Sequence, residues 1–259
     1  MLQSFIYLVS LKQLILGGEI MVSLNKGFEI TYYGHSTFKI KAPQGKIIFI
    51  DPWIKENPSC PKELHDVSGV DIIAVTHGHF DHIGDVRPLA EKFKPTIVAN
   101  WEICDWLGTK NVENCAPMNK GGGQIIDGIK FIMTHAQHSS GIKDDDGTTV
   151  YGGEPGGYII QLENGFSIYH AGDTNIFSDM KLIGEIYKPE LVMLPIGDLF
   201  TMSPLEASYA CRFLNPKYVI PMHYGTFPPL IGTPDQLAAL TRDLTEMEII
   251  ALKPGETLS

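Results

Sequence analysis

The sequence predicts an α/β (α+β) protein built as a four-layer αββα sandwich. Two observations carry this. From Phe28 onward, β-branched and apolar runs of strand length alternate with stretches of helical length. The two halves also repeat one order of elements: IIFID, DIIAVTHGHFDH, a helix and KPTIVAN in the first, then SIYHAGD, ELVMLPIGDLFT, a helix and NPKYVIPMH in the second. Each half runs strand–Asp, strand–loop, helix, strand, which suggests two related sheets facing each other.

Strands dominate the early part, with predicted spans 28–33, 37–42, 46–50, 72–76, 96–99 and 129–134. Further strands are predicted over 157–162, 166–170, 191–194 and 218–221. Helices are predicted over 85–92, 102–107, 179–187, 204–214 and 234–244, the fourth opened by Ser203 as N-cap with Pro204 at its first position. The acidic stretch Lys143–Asp146 before Gly147 reads as an exposed hairpin tip; the glutamate that would close a calcium loop is missing.

At 259 residues, with 44% hydrophobic and 19% charged residues, the chain can bury one large core, and residues 21–259 are expected to form a single domain. The formal net charge of -10 opposes attraction to polyanions, so nucleic acid is a disfavoured partner. Cys60, Cys104, Cys115 and Cys211 show no C-x-x-C spacing; a thiolate zinc knot and a redox pair are not suggested, and the expected location is cytoplasmic. The apolar run Phe5–Leu11 with Leu14–Leu16 could be a signal segment or a surface helix, but it is interrupted by Lys12 and Gln13 and is too short to span a bilayer. Gly17-Gly18-Glu19-Ile20-Met21 back-translates to a purine-rich stretch before an ATG, so Met21 is read as the natural start and residues 1–20 as translated leader. An intact mass of native protein beginning at Met1 would overturn that reading.

The strongest chemical signal is His77-Gly78-His79-Phe80-Asp81-His82, placed directly after a strand-like run. A turn at Gly78 lets two imidazoles and the Asp81–His82 pair converge from one loop, which suits two metal ions better than one. The alternative is a solvated histidine-rich loop.

This H-x-H-x-D-H run resembles the signature of the metallo-β-lactamase superfamily. The segments GHST, NKGGG, AQHSS, GDTNIFSDM, LPIGDLFTM and PMHYGTFP are similar to its small bacterial and archaeal branch of metal-dependent hydrolases, with ascorbate-6-phosphate lactonase and N-acylphosphatidylethanolamine phospholipase D as distant kin. The resemblance spans nearly all of residues 28–252. It implies that His77, His79 and His138 bind one metal, that Asp81, His82 and His223 bind the other, and that Asp173 bridges them. Imidazole and carboxylate ligands suit zinc, manganese or iron, and zinc is favoured. Two such ions about 3.5–4 Å apart can share a water and lower its pKa toward ~7, giving a hydroxide nucleophile. Asp81 is the candidate for orienting it and passing a proton to the leaving group.

Asp51 resembles the family's first motif, a carboxylate that orients a metal-binding imidazole. His35, between two strands, is a candidate substrate contact or acid, with a plain turn histidine as the alternative. Asn119 and Thr226 are candidate rim donors. Of the remaining histidines, His135 could replace His138, His170 reads as a hydrogen-bonded core residue and His65 as a loop residue.

The expected function is hydrolysis of a small ester, lactone or phosphodiester. A nuclease, a di-iron redox protein and a non-catalytic metal-binding module are the alternatives. A small-molecule substrate, no membrane and a homo-oligomer without an arguable interface complete the expectation.

Overall fold

The computed structural model describes residues 14–16, 19–21 and 23–259. In chain order its first elements are strands β1 (Leu14–Leu16), β2 (Glu19–Met21), β3 (Glu29–Gly34), β4 (Thr37–Lys41), β5 (Ile47–Ile50) and β6 (Ile72–Ala74). The short helix α1 (Phe80–Ile83), α2 (Val86–Phe93), β7 (Thr96–Asn100), α3 (Trp101–Thr109) and β8 (Cys115–Met118) complete the first half. The second half holds β9 (Gly123–Ile126), β10 (Ile129–His135), β11 (Gly141–Lys143), β12 (Thr149–Tyr151), β13 (Gly156–Gln161), β14 (Ser167–His170) and α4 (Met180–Tyr187). It closes with β15 (Leu191–Pro195), α5 (Pro204–Leu214), β16 (Tyr218–Met222), α6 (Pro234–Leu240), β17 (Glu248–Ile249) and β18 (Thr257–Leu258).

Two seven-stranded sheets result, ordered β18-β3-β4-β5-β6-β7-β8 and β17-β16-β15-β14-β13-β10-β9. The internal repeat reappears as pairing: β5 to β8 run parallel in the first sheet and β14 to β17 in the second, and each run is continued by antiparallel strands next to β5 and β14.

Alternation along the strands builds the layers. Ile48, Ile50, Ile72, Ala74 and Val98 of the first sheet meet Phe131, Tyr158, Ile160, Ile168, Leu191, Met193 and Ile220 of the second in one buried cluster between the sheets. Their neighbours of opposite parity face outward: Phe49, Ile73, Val75 and Ile97 pack under α2 and α3, whereas Ile159, Tyr169, Val192 and Val219 pack under α4 and α5. Three apolar interfaces therefore separate four layers, the αββα arrangement expected.

The predicted elements are present with shifted ends. The strand predicted over 72–76 stops at Ala74: Val75 N–H still reaches the Val98 carbonyl (2.9 Å), but the Thr76 carbonyl accepts from Gly156 N–H of the second sheet (3.0 Å); α6 stops at Leu240 rather than 244. Ser203 caps α5 and Thr233 caps α6, each in a reciprocal capping box. Lys143–Asp146 lies at the tip of the β11–β12 hairpin. The run Phe5–Leu11 falls outside the described residues, while Leu14–Leu16 pairs antiparallel with Glu19–Met21 in place of a helix. Among the described residues, no helix is long and apolar enough to cross a membrane.

Candidate metal centre

Both parallel runs deliver their carboxyl ends to one edge of the sandwich, the place where open α/β sheets bind ligands. From the first sheet come Asp51 after β5 and the His77–His82 loop after β6; from the second come Asp173 after β14 and His223 after β16. His138 follows β10.

The histidine loop is held open by its neighbours. Gly78 N–H donates to Ser140 Oγ (3.0 Å), which in turn donates to the Gly152 carbonyl (2.9 Å). His79 is the residue before α1, whose first turn then carries Asp81 and His82 inward, both buried.

Two groups of side chains emerge, beside a third set in which Asp51 joins His77 and His82. Ligand atoms of His77, His79 and His138 lie within 4.8 Å of one another, and those of His35, Asp81, His82 and His223 form a second such set. Asp173 Oδ2 sits between them, 3.9 Å from His77 Nε2, 3.7 Å from His138 Nε2, 3.3 Å from His82 Nε2 and 2.9 Å from His223 Nε2. All seven residues that the sequence marked as metal ligands thus converge on one site. Asp81 Oδ2 is 3.9 Å from both His82 Nε2 and His223 Nε2.

Asp51 sets the tautomers of two of these imidazoles. Fully buried, it accepts from Thr76 N–H (2.7 Å), Thr76 Oγ1–H (2.6 Å) and His82 Nδ1–H (2.8 Å). Because the Thr76 hydroxyl spends its single hydrogen on Asp51, its contact with His77 Nδ1 (3.0 Å) must be a bond donated by the ring. His77 therefore carries a proton on Nδ1 and His82 donates its Nδ1 proton to Asp51, and both rings turn Nε2 toward Asp173.

His35 is buried and has both nitrogens engaged. Its Nε2 hydrogen goes to Asp81 Oδ2 (2.9 Å), which leaves Nδ1 to accept from Thr226 Oγ1 (3.0 Å). The His35 carbonyl accepts from His223 N–H (2.7 Å) and Tyr32 O–H (3.0 Å), tying the β3–β4 turn to the end of β16. His35, Asp51 and His223 all adopt left-handed backbone, with φ of 59°, 48° and 55°. Such geometry costs on the order of 1–3 kcal/mol per residue outside glycine and gathers at functional sites.

The electrostatics ask for a cation. Burial and then the neighbouring imidazoles push His77 well below the ordinary histidine range, and burial lowers His79 and His138 as well. Burial and His223 hold His35 at about 4, against the pull of Asp81. Burial would raise Asp81 and Asp173, yet His82 with His35 takes the first down to about 2, and His223 with His82 takes the second well below the carboxylate range. His82 is pulled above the histidine range by Asp173, Asp51 and Asp81 in spite of its burial. Clustered carboxylates and imidazoles of this kind are balanced by divalent cations. Buried His82 Nε2 and Asp173 Oδ1 have no hydrogen-bond partner, as expected of atoms shaped for metal contacts. The donor set fits.

Around the mouth stand Trp53, Phe80 and Phe227; Trp53 is 5.7 Å from Phe80 and 5.9 Å from Phe227 between ring centroids. His170 donates Nε2–H to the Ser36 carbonyl (3.1 Å) and accepts from Gly172 N–H (3.1 Å). His135 contacts Lys120, and His65 follows the 3₁₀ turn Lys62–Leu64. Asn119 shapes its own turn, accepting from Lys120 N–H (2.8 Å). Sequence reasoning passed over Thr76, although a hydroxyl directly before the first histidine of the run was a usable signal.

The fold and this centre define a class. The family described as "Beta-lactamase superfamily domain" matches residues 46–224. A metal-dependent hydrolase of Rubrobacter xylanophilus is 50% identical over 233 residues, covering 90% of this chain and 96% of its own. One of Solibacter usitatus is 52% identical over 228 residues, covering 88% and 98%. The structure of a metallo hydrolase from the hyperthermophilic archaeon Ignicoccus hospitalis is similar at a TM-score of 0.79 and 35% identity, covering 89% of this chain and 97% of that one. The chain belongs to the UPF0173 family of metal-dependent hydrolases within the beta-lactamase superfamily.

Proposed function

We propose that the enzyme hydrolyses a small ester, lactone or phosphodiester at a dinuclear centre, with zinc favoured and manganese or iron as the other candidates. One observation carries the reading: Asp173 Oδ2 lies within 3.9 Å of imidazole nitrogens from both ligand groups, a position suited to serving two ions.

His77, His79 and His138 would hold one cation, Asp81, His82 and His223 the other, with Asp173 shared. When bound, such a pair supplies Lewis acidity and lowers the pKa of a shared water from 15.7 toward ~7. The chain's own residues do the rest. Asp51 and Thr76 keep the protons of His77 and His82 on Nδ1. His35 holds Asp81 through Nε2–H and is itself held by Thr226, so its role is to position that carboxylate. Asp81 orients the attacking water and hands its proton to the leaving oxygen. Trp53, Phe80 and Phe227 provide an apolar wall beside the reacting group.

The test is metal content by plasma mass spectrometry on protein purified without chelator, beside hydrolysis of p-nitrophenyl acetate, a γ-lactone and bis(p-nitrophenyl) phosphate. About two ions per chain are expected, with turnover of at least one substrate class that is lost on chelation and in His79→Ala. A chain that neither holds nor takes up metal would refute the mechanism.

A further inference from the structure

The NKGGG segment and His135 stay outside the centre just described, yet the structure brings them together. The Asn119–Gly122 turn carries the chain from β8 at the edge of the first sheet to β9 at the edge of the second. It is pinned to β10 by Gly121 N–H on the Met133 carbonyl (2.7 Å) and by Met133 N–H on the Gly122 carbonyl (3.1 Å). Lys120 points from this turn to His135, the last residue of β10, with Nζ 3.0 Å from Nδ1.

An ammonium only donates, so Nδ1 accepts and the His135 proton sits on Nε2. The pair therefore offers the Nε2–H of His135 and two further N–H donors of Lys120. Glu154 Oε2 lies 3.8 Å from Lys120 Nζ, beyond hydrogen-bond reach, and the Glu154 side chain is 67% exposed against 22% for Lys120. Its other oxygen accepts from Tyr151 (3.3 Å). Burial holds the Lys120 ammonium below its ordinary pKa, and burial with the nearby Lys120 charge does so for His135. The Lys120 ammonium bonds a neutral ring and makes only a long ion pair with exposed Glu154, at 3.8 Å, so two of its N–H donors remain for an anion. His135 precedes His138 by three residues, a stretch that reaches at most about 11 Å.

We propose that Lys120 and His135 form an anion subsite beside the metal centre, and that the substrate carries a carboxylate or phosphate group seated there while its scissile bond faces Asp173. This rests on the hydrolase reading above. Phe177, edge-on to His135 at 5.0 Å between centroids, closes one side of the subsite.

Isothermal titration of inorganic phosphate and of acetate into the metal-replete protein, its Lys120→Met and Lys120→Arg variants tests it, with metal content measured on each sample. Phosphate should bind the unaltered protein at least tenfold more tightly than Lys120→Met, and Lys120→Arg should recover part of the loss. Acetate following the same order would assign the subsite to carboxylates as well; phosphate alone would assign it to phosphoryl groups. Equal phosphate affinity in all three proteins at equal metal content overturns the proposal. Lys120-dependent binding in a protein that takes up no metal would keep the subsite and sink the hydrolase mechanism.

Discussion

Replacing Asp51 with asparagine tests whether tautomer control governs the metal centre. The change keeps the shape of the side chain but converts one oxygen into an N–H₂ donor. The new amide oxygen could still accept from Thr76 N–H; the amide hydrogens would then face Thr76 Oγ1 and His82 Nδ1, which now donate at 2.6 and 2.8 Å. His82 Nδ1 would have to accept, moving its proton to Nε2. The Thr76 hydroxyl would be freed to donate to His77 Nδ1, 3.0 Å away, with the same result. Two of the proposed ligands would thus present a proton where a lone pair is needed. Losing an orienting partner of this kind costs about 10–100-fold in metal affinity, or about 1.4–2.7 kcal/mol. Competition with a chromophoric zinc chelator measures it, with circular dichroism confirming the fold. Thr76→Val, which releases His77 alone, should fall between. Zinc affinity of Asp51→Asn within twofold of the unaltered protein would refute the reasoning.

Three further outcomes are expected. His138→Ala should lose metal, whereas His135→Ala should keep its full complement by plasma mass spectrometry; the reverse would exchange their assignments. Gly197→Ala should lower the thermal midpoint sharply, with a cost of about 1–3 kcal/mol or more, because a β-carbon there would press into the backbone carbonyl of His223; an unchanged midpoint in differential scanning fluorimetry would contradict the close approach. Burial depresses the pKa of His170 in the folded protein, so the unfolded chain binds the extra proton first. Its contribution is complete above the unfolded histidine value near ~6.5 and is lost as pH falls toward the folded one. Urea midpoints at pH 7.5 and 5.5 should therefore diverge less in His170→Gln than in the unaltered protein.

Much of this site could be read from the chain because its ligands are short-range events repeated at strand ends. His77, His79, Asp81 and His82 declare themselves within one loop, and Asp51, Asp173 and His223 each follow an apolar run that alternation identifies as a strand. What stayed hidden depends on backbone geometry or on contacts between distant segments. The left-handed conformations of His35, Asp51 and His223 have no signature in residue type, since surrounding structure enforces them. The engagement of both His35 nitrogens needs Thr226, 191 positions away. Edge strands β8 and β9 were missed because their alternation is weak and half exposed, and α1 because four residues are too few to show a helical period.

The edge of the first sheet has a consequence for how the protein is made. β18 pairs antiparallel with β3, joining Thr257 to Thr31 and Leu258 to Ile30, and Gly255 N–H reaches the Tyr32 carbonyl (2.7 Å). During synthesis, β3 can form its hairpin with β4 early, yet its other flank has no partner until residues 257 and 258 leave the ribosome. Until then a row of unpaired amides and carbonyls lies open beside Ile30 and Tyr32, the kind of edge that recruits other chains. Completion of the sheet on the nascent chain must therefore be late and non-local, a topology that folds slowly. A chain shortened by residues 254–259 would carry that open edge permanently, and should appear in the insoluble fraction while its metal ligands remain intact.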